Sequence, residues 1–249
     1  MLSASKIKVI NSLKIKKYRD ENALFFAEGT KTVTDIFPYF ACKWLIATDE
    51  WIGEHRSLQA EEIITITPEM LKKISGLKTP SSVLAVFKKP DYQIDFQEIS
   101  HSLSIVLDEV QDPGNLGTIV RIADWFGIEN IICCENTADI FNPKTIQATM
   151  GAVARVRVHY TLLADFFEKL PSSTPVFGTY MEGENIYQEK LPNKGIIVMG
   201  NEGKGISENL GKYISHRLHI PNFPAERKTS ESLNVAIAAA IVCSEFRRR

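Results

Sequence analysis

The chain has 249 residues, of which 44% are hydrophobic and 24% charged, and its formal net charge is −1. These proportions are typical of a globular protein with a buried core, and they exclude a highly basic nucleic-acid coat protein. No apolar run reaches the length of about eighteen residues that a membrane span needs, and the lysine-rich start lacks the apolar segment of a signal peptide. Together with four scattered cysteines, which predict reduced thiols and no disulfide framework, these features lead us to expect a cytoplasmic protein.

The first nineteen residues carry six basic side chains and no acidic one. Apolar residues between them predict an amphipathic helix over residues 4–18. This basic face could bind phosphate groups, or it could be only the solvated side of a helix. The basic residues are Lys6, Lys8, Lys14, Lys16, Lys17 and Arg19.

Strands and helices are predicted to alternate over about the first eighty-five residues, which indicates a small α/β domain. A helix that runs through Val33 and ends at Pro38 is predicted, and another helix begins at Pro68 with Thr67 as its cap. The polar, proline-containing segment 89–102 predicts a linker. The predicted strands cover residues 24–27, 44–47, 63–66 and 83–87.

The stretch around residues 104–121 predicts a buried strand, a tight loop and a helix. The apolar run Ser104–Leu107 ends in a turn with the sequence Asp-Pro-Gly-Asn, and Gly127 predicts the end of the helix that follows. Ligands of open α/β sheets bind at the carboxyl ends of strands, where such a loop lies. The loop lacks the glycine spacings of dinucleotide and nucleotide phosphate sites. Asn115 could be no more than a helix cap, and Arg121 no more than a solvated charge.

Alternating elements continue to the end of the chain and predict a parallel sheet. The strand 195–199 ends in a second loop, Gly200–Ser207, whose glycines allow the backbone to approach a ligand closely. Glu202 would repel a phosphate, and it suits a ligand with cationic or hydroxyl groups, such as S-adenosylmethionine. A plain strand-to-helix turn is the alternative. The last predicted helix, which ends near Phe246, has Ser232 and Asn234 in its first turn. It is apolar nearly all round, so a dimer interface or a deep core must cover it.

Three of these stretches resemble, in order and approximate spacing, the motifs of the SpoU/TrmH family of RNA ribose 2′-O-methyltransferases. The first is Asp112–Thr118 with Arg121, the second is Gly200–Ser207, and the third joins Leu218–Pro221 to Ser232–Ala236. The family resemblance implies an α/β fold in which residues 103–249 form a parallel-sheet methyltransferase domain with a trefoil knot. Residues 1–88 then resemble the family's smaller RNA-binding α/β domain, on short matches such as Phe25–Gly29.

The resemblance also implies the activity, which is transfer of a methyl group from S-adenosylmethionine to a ribose 2′-hydroxyl of structured RNA without a metal. Ribosomal RNA is favoured over transfer RNA, because a separate RNA-binding module suits a large folded target, and a homodimer is expected. The implied catalytic residues are Arg121, Asn115, Glu202, Asn234 and Ser232. The implied cofactor-binding residues are Thr179, Gly200, Asn201, Gly203, Ile220 and Leu233.

Other functions stay open at this point. The chain could methylate transfer RNA, could be a non-catalytic RNA-binding relative, or could be an α/β enzyme with a nucleotide cofactor. One departure from the family pattern is the long loop at residues 222–231, where Arg227 and Lys228 could touch RNA. His216 and His219, three residues apart on a predicted strand, point to opposite faces and make a poor metal pair.

Overall fold

The structure is a computed structural model that describes residues 2–224, 227 and 232–248. The chain divides into two compact units, of which the first comprises residues 1–91 and 139–154 and the second comprises residues 92–138 and 155–249. The domain boundaries predicted from the sequence follow chain order, so they do not anticipate that residues 139–154 belong with the first unit.

The helices and strands are numbered here in chain order. The helices are α1 Ala4–Ser12, α2 Lys16–Asn22, α3 Thr30–Ile36, α4 Asp49–Glu54, α5 Pro68–Ile74, α6 Phe96–His101, α7 Pro113–Trp125, α8 Pro143–Thr149, α9 Leu163–Lys169 and α10 Val235–Arg247. The strands are β1 Leu24–Glu28, β2 Cys42–Ala47, β3 Glu62–Thr65, β4 Val83–Lys88, β5 Leu103–Leu107, β6 Asn130–Cys133, β7 Arg157–Tyr160, β8 Val176–Tyr180, β9 Glu184–Asn185, β10 Gly195–Met199 and β11 His216–His219. Short 3-10 helices cover Ala152–Ala154 and Glu208–Tyr213.

The first unit is built on a four-stranded sheet in the order β1-β4-β2-β3, in which only β2 and β3 run parallel. Phe26, Ile46 and Leu84 are buried in its core. The predicted helix over residues 4–18 is two helices, because the chain turns after α1 and buries Leu13 completely. The structure also differs from the sequence predictions in three other respects. Helix α4 was not predicted, and α6 lies inside the predicted linker. Thr67 precedes α5 as predicted, but its side chain makes no capping hydrogen bond.

Arg19 does not belong to a basic surface, as the sequence suggested, because it is buried and paired. Its Nη2 lies 2.6 Å from Asp139 Oδ2, and its Nη1 donates to the carbonyl of Leu13 at 2.7 Å. The buried pair joins α2 to the returning segment 139–154, whose Phe141 ring also lies 4.6 Å from that of Phe25. Four exposed lysines of the predicted basic face remain at the surface: Lys8, Lys14, Lys16 and Lys17.

Replacing Arg19 with alanine is expected to lower the free energy of unfolding of the first unit by about 3–5 kcal/mol, because Asp139 would keep a buried charge without its partner. Calorimetry measures the loss, and hydrogen exchange should show that α8 loses protection first. The exposed Lys17→Ala variant is the control, and its unfolding free energy should change by less than about 0.5 kcal/mol. Equal stabilities of the two variants would contradict this account.

The second unit is built on a seven-stranded sheet, all of it parallel, in the order β7-β6-β5-β10-β8-β11-β9. The parallel sheet was predicted and is confirmed, although β9 was missed because it is only two residues long. From β5 the chain moves outward to β6 and β7, and it later returns to place β10 on the other side of β5. This change of direction makes the carboxyl ends of β5 and β10 the expected ligand-binding edge. The knot stays a prediction of the family resemblance.

His159 on β7 is buried and hydrogen-bonded through Nε2 to Asn130 Oδ1 at 3.1 Å. Asn130 in turn donates to Glu98 Oε1 at 3.0 Å. Burial lowers the pKa of His159 below its usual value near 6.5, because the charged imidazolium is poorly solvated there. The folded protein therefore holds this ring neutral at a pH where the unfolded chain already protonates it.

The unfolding free energy is accordingly expected to fall as the pH is lowered through about 6.5, by at most about 1.4 kcal/mol per pH unit for this one group. The stabilisation of the folded state by the neutral His159 ring is complete above about pH 6.5. It decreases as the pH falls from there to the lower pKa of the folded state. Denaturant unfolding of the wild type and the His159→Gln variant between pH 5 and 8 measures the effect. A pH dependence that the substitution leaves unchanged would show that other groups cause it.

The cysteines are free thiols, as predicted, and three of the four are buried. Burial raises the pKa of Cys42 and of Cys243 to about 12, so neither is a reactive thiolate. Within the described part of the chain, no helix combines the length and the apolar character needed to span a membrane.

Candidate active site

The first loop of the site, residues 108–112, connects β5 to α7. Asp112 caps the helix by accepting a hydrogen bond from the Asn115 backbone N–H at 2.9 Å, and Pro113 occupies the first helical position, where no N–H is needed. The interpretation of Asn115 as the cap is therefore wrong. Because Asp112 does the capping, the Asn115 side chain is available for contacts outside its own helix.

The second loop, called here the glycine loop, covers residues 200–207 after β10. Asn201 and Gly205 exchange two backbone hydrogen bonds, of 3.0 and 2.8 Å, which close the loop into a narrow turn. Gly200 directly precedes this turn and packs against its last residue, so an added Cβ would come within 2.2 Å of the Gly205 carbonyl carbon. No residue with a side chain fits at position 200 without moving the loop.

Asn115, Glu202 and Asn234, from the three predicted motifs, form a chain of hydrogen bonds. Asn115 Nδ2 donates to Glu202 Oε1 at 2.5 Å, and Asn234 Nδ2 donates to Asn115 Oδ1 at 3.0 Å. Asn234 Oδ1 also accepts from the backbone N–H groups of Ala236 and Ile237, so it caps α10. Asn234 is thus the cap of the helix and lies before its first turn, which begins at Val235. The capping function and the contact with Asn115 coexist in one side chain.

Arg121 lies on α7 two turns beyond Asn115, and its side chain is exposed. It makes no hydrogen bond or ion pair with any other described residue, so the structure does not bring it into the chain of contacts at Glu202. Ser232 is exposed and lies two residues before the Asn234 cap. The catalytic role predicted for Ser232 stays a prediction.

The predicted cofactor-binding residues lie at the carboxyl ends of three strands and at the start of α10. Thr179, near the end of β8, donates to the Val198 carbonyl of β10 at 3.1 Å. Ile220 follows β11 and is half-buried, whereas Leu233 is 47% exposed. Gly203 donates its backbone N–H to Asn201 Oδ1 at 2.9 Å. The Asn201 side chain is therefore engaged in holding the loop.

Two residues that sequence reasoning missed hold the glycine loop in place. The buried carboxylate of Asp108 accepts a hydrogen bond from the Ser207 backbone N–H at 2.7 Å. The Glu109 carbonyl accepts from Asn201 Nδ2 at 2.9 Å, and Glu109 has a left-handed backbone with φ of 57°. Hydrogen bonding from Asn136, with the nearby charge of Lys204, lowers the pKa of the Glu109 carboxyl below its usual value. The signal in the sequence was a pair of acids directly after a buried strand.

The long loop predicted at residues 222–231 is described only in part. Asn222 Nδ2 donates to the carbonyl of Arg227 at 3.1 Å, and Arg227 is exposed. Lys228 lies outside the described residues. The contact of Arg227 and Lys228 with RNA stays a prediction.

The family model for the SpoU rRNA Methylase family matches residues 102–244, which include Asn115, Glu202 and Asn234. The chain belongs to the SpoU rRNA Methylase family. A second family, the MRM3-like substrate binding domain, matches residues 4–85. Among relatives of this SpoU protein is the 23S rRNA (guanosine(2553)-2′-O)-methyltransferase RlmP of Bacillus subtilis, which is 28% identical over 245 residues, or 97% of this chain and 96% of the relative.

Solved structures of SpoU-type proteins match over the whole chain. A TrmH-family protein from Porphyromonas gingivalis is 38% identical, with a TM-score of 0.87 over 100% of this chain and 99% of the other. The AdoMet-bound rRNA methyltransferase from Sinorhizobium meliloti is 28% identical, with a TM-score of 0.86 over 100% of this chain and 96% of the other. The predicted family and the α/β fold with a parallel methyltransferase sheet are therefore confirmed.

Proposed function

We propose that the protein transfers a methyl group from S-adenosylmethionine to a ribose 2′-hydroxyl of ribosomal RNA. The observation that carries the proposal is the chain of hydrogen bonds through Asn115, Glu202 and Asn234, which joins all three family motifs at one edge of the sheet. The relatives named as rRNA methyltransferases span nearly the whole chain, which favours ribosomal over transfer RNA.

The residues at this edge fit S-adenosylmethionine. The Glu202 carboxylate suits the positive charges of its sulfonium and amino groups, and the exposed Leu233 with the half-buried Ile220 offers apolar contact for its adenine. Gly200 brings bare backbone to the same edge. When bound, this cofactor supplies a methyl group that is already activated for transfer.

The protein's own residues would align the nucleophile and stabilise its charge. The Asn115 side-chain amide is fixed through its Nδ2, which donates to Glu202, and through its Oδ1, which accepts from Asn234. The second N–H of Nδ2 can therefore orient the ribose. The second carboxylate oxygen of Glu202 can accept a hydrogen bond from the 2′-hydroxyl. Arg121 would donate to the 2′-oxygen or the adjacent phosphate as negative charge develops. It is a poor general base, because a guanidinium keeps its proton at any pH that a protein tolerates.

Replacing Glu202 with glutamine is expected to lower kcat by about 10²-fold, because the charge-assisted bond to Asn115 is lost while the size of the side chain is kept. Single-turnover transfer of labelled methyl measures the change. The matched variant Glu182→Gln removes an exposed carboxylate that makes no hydrogen bond with Asn115, Glu202 or Asn234, and it should transfer at the wild-type rate. Equal rates for the two variants would exclude Glu202 from the reaction.

A homodimer is part of the proposal. Helices α7 and α10 lie side by side in the same direction, since Asn234 contacts Asn115 at one end and Arg247 Nε donates to the Phe126 carbonyl at the other. Trp125 is 85% and Ile237 54% exposed on these two helices. Such exposed apolar side chains indicate a contact surface, and the incomplete burial of α10 fits the dimer alternative better than a deep core.

Calorimetry with S-adenosylmethionine and with a nicotinamide dinucleotide tests the cofactor class, and methyl transfer to separated ribosomal and transfer RNA tests the substrate. Binding of S-adenosylmethionine alone, with transfer to ribosomal RNA, is expected. Binding of neither cofactor would refute the proposal, and binding without turnover on either RNA would favour the non-catalytic relative.

The free thiols fit a reducing compartment, so we propose that the reaction takes place in the cytoplasm.

A further inference from the structure

A cavity of about 330 Å³ lies at the carboxyl ends of β5, β6 and β7 within the second unit. None of the residues predicted for catalysis or cofactor binding lines it. Apolar side chains form part of its wall: Leu162, Leu163 and Leu210. Polar side chains line the rest, and those that matter here are Glu135, Asn136, Asp165 and Asn209. Its volume lies at the lower end of the range of small-ligand sites, roughly 300–1,000 Å³.

The cavity borders the proposed methyl-transfer site through the glycine loop. Asp108, Glu109 and Ser207 line it, and these are the residues through which the loop is held. Glu109 is bonded through its carbonyl to Asn201, whose neighbour Glu202 contacts Asn115. The cavity and the Asn115 contact are therefore supported by the same glycine loop.

Two of the four carboxylates in the wall are already engaged. Asp108 accepts from the Ser207 backbone N–H, and Glu109 accepts from Asn136 Nδ2 at 3.1 Å and lies 3.5 Å from Lys204 Nζ. Glu135 and Asp165 are exposed and make no hydrogen bond or ion pair with any other residue that the structure describes. These two carboxylates can therefore accept hydrogen bonds from a ligand.

The chemistry of the wall selects among the parts of an RNA molecule. Carboxylates repel phosphates, so the cavity does not suit the backbone. Guanine presents two adjacent donors on one edge, N1–H and the N2 amino group, which a carboxylate can accept together. Adenine and cytosine place an acceptor nitrogen beside their amino group, and uracil has a single N–H between two carbonyls. Leu162, which is 59% exposed, offers an apolar surface for the face of the base.

We propose that this cavity binds a guanine base of the RNA substrate through Glu135 and Asp165, next to the ribose that is methylated. The proposal rests on the proposed function in that it takes RNA as the substrate. It adds a base-reading site to a catalytic edge that otherwise recognises only ribose and cofactor.

Binding of short labelled RNAs to the whole 249-residue chain tests the proposal without requiring turnover. The probes are oligouridylates that carry one guanosine, inosine or adenosine, and fluorescence anisotropy gives their Kd at fixed salt. Guanosine is expected to bind about tenfold more tightly than inosine, which lacks the N2 amino group, and than adenosine. The Glu135→Gln/Asp165→Asn double variant should bring these ratios close to one, whereas Glu182→Gln should keep the wild-type ratios.

Two outcomes would overturn the inference. One is equal affinity of the wild type for the three RNAs. The other is a double variant that binds all three more tightly with unchanged ratios, which would show that the carboxylates only repel the phosphate backbone. Methyl transfer to ribosomal RNA is measured separately, so a protein that prefers guanosine but transfers nothing would refute the proposed function and leave the guanine site supported.

Discussion

The Arg121→Ala variant is expected to transfer methyl groups about 10²–10³-fold more slowly than the wild type, with an unchanged Kd for S-adenosylmethionine. The Kd should not change because Arg121 is exposed and has no partner among the described residues, so its side chain contributes little to folding. Its long side chain on α7 is free to reach an RNA group near Asn115, where it would stabilise charge that appears only as the methyl group moves. Single-turnover kinetics and calorimetry separate the two quantities.

The Arg121→Lys variant is the matched control, because it keeps the positive charge and loses the planar, two-pronged donor. We expect it to recover only part of the rate. Full recovery would mean that charge alone is needed, as for contact with a phosphate. An alanine variant with the wild-type rate would exclude Arg121 from the reaction.

The Gly200→Ala variant is expected to bind S-adenosylmethionine at least about tenfold more weakly. Its Cβ would lie 2.4 Å or closer to three backbone atoms of Gly205 and Ile206, none of which can rotate away, so the whole glycine loop must shift. Calorimetry measures the Kd, and circular dichroism confirms that the variant folds. Transfer to RNA should fall in parallel, because Glu202 lies on the same loop.

Gly211→Ala is the matched control for this substitution. A Cβ at Gly211 meets nothing within 4 Å, and the residue lies outside the proposed site. Its Kd and transfer rate should match those of the wild type. A Gly200→Ala protein that binds the cofactor as tightly as Gly211→Ala would show that the shape of the glycine loop does not determine the cofactor site.

Much of the second unit follows from local sequence. The strand-loop-helix from β5 to α7 was predictable because each part has its own signal: an apolar run for the strand, a proline-glycine turn for the loop and Gly127 for the end of the helix. Gly127 has the left-handed backbone typical of a helix end, with φ of 63°. The parallel sheet followed from continuous apolar strands separated by helices. The contact of Asn115 with Glu202 and Asn234 could be expected only from the family motifs, since these residues lie far apart in the chain.

The parts that escaped prediction depend on tertiary contacts. Arg19 looked like one more surface charge, and only Asp139, 120 residues later, shows that it is buried. The return of residues 139–154 to the first unit has no local signal either. Asp108 holds the glycine loop through the Ser207 backbone N–H, and the Glu109 carbonyl holds it through the Asn201 side-chain amide. Each bond joins one backbone group to a side chain about a hundred positions away, and no local pattern of residue types reveals it.

The most direct test of the central claim is transfer of labelled methyl from S-adenosylmethionine to total RNA from cells that lack this gene. The RNA is separated by size and digested with alkali, which cannot cleave next to a methylated 2′-oxygen. We expect label in alkali-resistant dinucleotides from ribosomal RNA. Label released in mononucleotides would mean that a base is methylated, and would contradict the assignment of the ribose 2′-hydroxyl as the acceptor.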